Sequence, residues 1–144
     1  MKAVSSKREI EIAAPPEVVW DVLTHFGEWP EWNPQVKSMS FDGPLAPGSE
    51  FRWKAGPGTI VSRLQLVDPP RAVAWLGRTT SIKAVHEWRL ERRDSGTLVQ
   101  TEETFSGLLA RLFRGPLQKN LDNALEDGLE HLKREAERRA GALS

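Results

Sequence analysis

The sequence predicts an α+β fold in which a curved antiparallel sheet of about six or seven strands wraps around one long C-terminal helix. Two observations carry this reading. Between residues 35 and 106 short stretches of alternating apolar and polar side chains are separated by Gly, Pro, Asp and Ser, and after Gly107 the apolar spacing becomes helical. A third is the segment AAPPEVVWDVLTHFGEWPEWNP, residues 13–34, which reads as two short helices placed after a first strand. Strand, two short helices, a run of strands and a final helix is an α+β order, unlike the alternation of βαβ units.

Residues 7–12 alternate charged and apolar side chains, with Ile10 and Ile12 on one face, and form the first strand. Pro15 and Pro16 then open a helix, because first-turn positions need no N–H donor, and Glu17 puts negative charge at the positive end of its dipole. Val19, Val22, Leu23 and Phe26 make its apolar stripe, and Gly27 is its expected C-cap. The pairs Trp29-Pro30 and Asn33-Pro34 force the chain out of helical geometry soon afterwards.

Six more strands follow. Residues 35–41 make one, DGPLAPG is a loop, and residues 49–54 make the next with Phe51 and Trp53 on one face. Gly56-Pro57-Gly58 is a turn into residues 59–67, where Ile60, Ser62, Leu64 and Leu66 share a face until Asp68-Pro69-Pro70 ends the strand. Residues 71–78 and 81–92 are two further strands, Ser95-Gly96 turns the chain, and residues 97–106 are the last. Residues 108–113 form a short apolar segment, and Gly115-Pro116 is expected to break it from the main helix. That helix carries Leu117, Leu121, Leu125, Leu129 and Leu132 as one stripe, which is both its core face and the roof of any space beneath it.

With 144 residues the chain suits one domain spanning 1–144. Its 20 basic and 20 acidic residues balance, so no basic face draws it to nucleic acid. The lack of cysteine rules out disulfides, thiolate catalysis and cysteine-based metal sites. No apolar run is long enough to span a bilayer and the N-terminus has no signal-peptide core, so a cytoplasmic location is the expectation. Three histidines at unrelated spacings give no metal motif, and no metal or cofactor is expected. His25 reads as a cap at the end of the first helix, and His131 as part of a solvated helix face.

The chain resembles the START-like (SRPBCC) superfamily of the helix-grip fold, in particular its bacterial polyketide cyclase/dehydrase and lipid-transport type. The resemblance runs through APPEVVWDVLTHFGEWPEWNP, the loop from Pro44 to Gly48, VDPPRAVAW, HEWRL and SGTLVQTEETFSGLL. It implies a cavity between sheet and helix for a small hydrophobic ligand, with Trp29 and Trp32 at its rim. It also implies that Val99, Thr101, Glu103 and Phe105 face inward.

His86, Trp88 and Leu90 share a face on the neighbouring strand, which would set His86 beside Glu103. Such a pair reads either as acid and base or as buried polar groups that satisfy one another and orient a ligand. Trp53, Trp75 and Trp88 either line the cavity or fill it, and Leu121 and Leu125 roof it. Three functions are therefore in play. The first is a binder of a small hydrophobic or aromatic, lipid-like or polyketide-like molecule. The second is a cyclase or dehydratase using His86 and Glu103, and the third is a protein-interaction module or homodimer built on the apolar residues 108–113.

Overall fold

The computed structural model describes residues 4–56 and 58–143. In chain order these form β1 (Val4–Ile12), α1 (Pro16–Thr24), a single 3-10 turn (Phe26–Glu28), α2 (Trp29–Trp32), β2 (Ser38–Phe41), β3 (Glu50–Lys54) and β4 (Ile60–Asp68). Then come β5 (Ala72–Arg78), β6 (Lys83–Arg93), β7 (Gly96–Ser106), α3 (Leu108–Leu112) and α4 (Arg114–Leu143). The seven strands make one antiparallel sheet in the order β1-β7-β6-β5-β4-β3-β2. The helices lie against one face, giving the α+β helix-grip arrangement read from the sequence. No helix of the described residues is long and apolar enough to cross a membrane.

Several boundaries differ from the sequence reading for identifiable reasons. Gly27 does not cap α1: the helix ends at Thr24, and His25 caps it, with its backbone N–H and its ring Nδ1 both at the Asp21 carbonyl. Gly115-Pro116 does not break the last helix either. The break falls at Phe113, and Pro116 sits in the first turn of α4, where a missing N–H leaves no hydrogen bond unmade. The expected turn at Gly56-Pro57-Gly58 includes Pro57, outside the described residues.

In β4 the register shifts between Leu64 and Leu66, a bulge that reverses which side chains point inward. Leu64 is buried, whereas Leu66 is exposed and Val67 packs on the core in its place. The expected face of Ile60, Ser62, Leu64 and Leu66 therefore holds only as far as Leu64.

The core is centred on an aromatic cluster beneath α1. Phe26 is fully buried and stacks on Phe51 at 4.4 Å between ring centroids, with Trp29, Phe41 and Trp75 at 5.1, 5.3 and 5.6 Å. Leu129, Leu132 and Ala136 of α4 close the same core from above. Polar contacts clamp α4 to β1: Arg8 pairs with Glu126, Lys133 Nζ donates to the Glu11 carbonyl, and Glu137 accepts from the Ala13 N–H.

Candidate ligand-binding site

Antiparallel register sets the inward side chains in rows across the sheet. One row runs Ser62, Gly77, Ala84, Phe105, and the next runs Leu64, Trp75, His86, Glu103. Beyond these lie Val73, Trp88 and Thr101, and then Leu90 and Val99. The rows grade from large, tightly packed side chains near α1 to small ones near the hairpin tips. Where three consecutive positions are Ser, Gly and Ala, sheet and α4 cannot meet, and a cavity of ≈ 270 Å³ is left.

Gly77 lies at the centre of that row. A Cβ there would sit 3.1 Å from Ser62 Oγ and 3.2 Å from Ile60 Cγ2, so any larger residue would crowd both side chains and take up space at this part of the wall. Trp53, Ile60, Trp75 and Phe105 give the wall its apolar and aromatic character, and Leu121 and Ala124 of α4 roof it. Polar groups are few. The Trp53 indole N–H donates to Ser62 Oγ at 3.0 Å, and Asn120 stands at the exposed edge.

Glu103 is the single ionisable side chain in the cavity wall among the described residues. Its carboxylate oxygen lies 3.6 Å from His86 Nδ1. His86 is not part of the wall: it is buried one layer back, its ring 5.0 Å from that of Trp75 and stacked on Trp88 at 5.1 Å. Thr101 fixes its tautomer. The Thr101 hydroxyl donates to the Glu87 carbonyl, so its oxygen accepts from His86 Nε2–H at 2.7 Å, which leaves the Nδ1 lone pair facing Glu103.

Burial pushes the Glu103 carboxyl up to about 8 and pulls His86 down to about 3, so both are uncharged at neutral pH. A protonated Glu103 can donate a hydrogen bond to Nδ1 or into the cavity. Stability against pH follows from the same shifts. The folded chain keeps a Glu103 proton that the unfolded chain releases above its ordinary 4.5, so this contribution is lost as pH rises toward 8. The folded chain refuses a His86 proton that the unfolded chain takes below 6.5, so that contribution is lost as pH falls toward 3. The two slopes oppose each other between 4.5 and 6.5, giving a plateau there and a decline in stability from 6.5 to 8. Glu103→Gln is expected to flatten the upper decline in melting temperatures measured from pH 5 to 9, and an unaltered slope in that variant would refute the assignment.

Of the residues singled out in the sequence, Trp53, Trp75, Glu103, Phe105 and Leu121 meet in the cavity wall. The others lie off it. Trp29 is buried in the aromatic cluster and donates its indole N–H to the Leu23 carbonyl, and Trp32 packs edge-on against it. Trp88 backs His86, while Leu125 packs with Val4 and Leu121. The indole nitrogens of Trp32 and Trp88 are buried with no hydrogen-bond partner among the described residues. Ser62, Gly77 and Ala84 were passed over because small side chains give no hydropathy signal; counting register across the hairpins finds them.

A family described as polyketide cyclase / dehydrase and lipid transport matches residues 3–137. The chain belongs to this family. Several hundred solved chains share the fold. The Zhui aromatase/cyclase of Streptomyces sp. R1128 is 21% identical, with a TM-score of 0.80 over 94% of each chain. The hypothetical protein jhp0584 of Helicobacter pylori is 15% identical, with a TM-score of 0.80 over 92% of this chain and 86% of its own. A START superfamily protein from Mycobacterium smegmatis is 19% identical, with a TM-score of 0.69 over 97% of this chain and 99% of its own. No curated protein sequence matches the chain. For this member of the polyketide cyclase / dehydrase and lipid transport family, likeness at such identities is one of fold, and function must be argued from the cavity.

Proposed function

We propose that this protein binds a small, uncharged hydrophobic or aromatic molecule in the cavity between β3–β7 and α4. The observation that carries the reading is the composition of the wall: mostly aromatic and aliphatic side chains, a few small polar ones, and one carboxyl, Glu103, held neutral and able to donate a hydrogen bond. At about 30 Å³ per water, the cavity holds the equivalent of about nine waters, which suits a body of two fused rings. Flat ligands match the aromatic surfaces of Trp53, Trp75 and Phe105.

Trp53 and Trp75 also make the test direct. Titration with naphthol is expected to quench tryptophan emission saturably, and native mass spectrometry after gentle purification should find a ligand retained. A panel of aromatic and lipid compounds that leaves the emission unchanged would sink the proposal.

A second reading is favoured by the pairing of Glu103 with a histidine whose free lone pair faces it. Glu103 would protonate a departing hydroxyl, which leaves as water, and the carboxylate so formed would take the proton from the neighbouring carbon as the double bond forms, restoring the acid, with His86 positioned behind it. Recovery of every bound ligand chemically unchanged would remove this reading and leave the binder standing.

A further inference from the structure

A groove runs outside the cavity between the β5–β6 hairpin tip and the start of α3. Gly107, at φ +112, lets these segments meet, since a Cβ there would lie 2.5 Å from the Ser81 carbonyl oxygen. Thr79 and Ile82 belong to the walls of both the groove and the cavity, so the two spaces adjoin.

The charges of the groove are all of one sign. Arg78, Lys83 and Arg111 line it, and no carboxylate does. In a chain whose 20 acidic residues match its 20 basic ones, that is a local departure from balance. These three cations have no ion pair with any described residue, which is also true of Arg52, Arg114 and Arg134; what sets the groove apart is that three such cations line one space. Leu108, also in the groove, is 68% exposed and offers apolar surface beside them.

Resting on the cavity reading above, we propose that the groove holds the phosphate head of an amphipathic ligand whose uncharged ring or acyl body fills the cavity. Size and charge agree on this orientation. A ligand longer than two fused rings must project from a cavity of ≈ 270 Å³, past Thr79 and Ile82 at the end of the sheet, where the groove adjoins. An anion at the inner end would sit against the carboxyl of Glu103 with no cation in the wall, whereas Arg78 and Lys83, on the row that faces away from the cavity, and Arg111 of α3 line the groove around that end.

The test compares naphthyloxyhexyl phosphate with the neutral naphthyloxyhexanol by tryptophan quenching. The phosphate is expected to bind roughly tenfold tighter at low salt, the effect of a few exposed charge contacts, and the advantage should shrink near 0.5 M salt. In the triple variant Arg78→Ala, Lys83→Ala, Arg111→Ala, and in the milder single variant Lys83→Glu, the ratio of the two affinities should fall to about one. Equal affinities in the unaltered protein, or an undiminished ratio in folded variants, would overturn the groove assignment while the alcohol still reports the cavity. If the alcohol itself does not bind, the cavity reading falls and the groove proposal with it. Co-sedimentation with phosphatidylcholine vesicles containing phosphatidylserine, lost in the variants, would identify the head as that of a membrane lipid. Binding of the soluble phosphate without vesicle binding would identify a free phosphate ester.

Discussion

Ala84→Phe is expected to abolish ligand uptake while leaving the fold in place. Ala84 lies between Gly77 and Phe105 in the row of small residues, with its methyl group in the cavity wall. A phenyl ring needs a space on the order of 150 Å³, the size of a cavity that accepts benzene. That is more than half of the ≈ 270 Å³ present, so a two-ring ligand no longer fits. The ring enters a void and not a filled core, which keeps the cost below the usual 1–3 kcal/mol of overpacking. Naphthol affinity should fall by about 100-fold or more, with a melting temperature within a few degrees of the unaltered protein. Affinity retained within about threefold would show that ligands bind elsewhere.

The largest loss of stability is expected from Phe26→Ala. Phe26, in the 3-10 turn just after α1, is completely buried, its ring in contact with four others drawn from α2, β2, β3 and β5. Removing it deletes the transfer energy of a phenyl group and leaves a hole that rings held from four directions cannot close. Phe→Ala at such sites costs about 3–5 kcal/mol, against a total domain stability of roughly 5–15 kcal/mol. Equilibrium urea unfolding should show this as a lower midpoint at unchanged slope, and a loss under about 1.5 kcal/mol would mean that the cluster repacks.

Much of this architecture was legible because burial leaves a periodic trace. The stripe from Leu117 to Leu132 placed α4 over the sheet, and the alternation in residues 97–106 put Val99, Thr101, Glu103 and Phe105 on one face, which the family resemblance then assigned to the inside. The adjacency of His86 and Glu103 followed from two neighbouring strands with apolar companions on the same side. The bulge in β4 was not legible, since strict alternation puts Leu64 and Leu66 on one face while Val61 and Val67 give the other face apolar ends, and nothing in that pattern marks where the register changes. Pro116 was misread because proline is tolerated in the first turn and excluded from the interior, and only the position of the break decides between them. Trp29 and Trp32 were expected at the rim, but the aromatic cluster around Phe26 draws them away from the cavity wall. The cavity escaped hydropathy patterns because it is made of what Ser62, Gly77 and Ala84 lack.

The position of β1 in the sheet has a consequence for how the chain is made. β1 is made before every other strand of this sheet, yet its hydrogen-bonding partner is β7, with Ile12 opposite Thr97 and Val4 opposite Phe105. At roughly 5–20 residues per second, some 5–20 s pass between synthesis of the two strands. During that interval the β2–β6 hairpins can form locally while β1, α1 and the aromatic side chains beside them have neither β7 nor α4 to cover them. Closure of the sheet edge and capture of the last helix are therefore late, coupled events, and the nascent chain passes through a stage in which its most apolar N-terminal segment is available to chaperones.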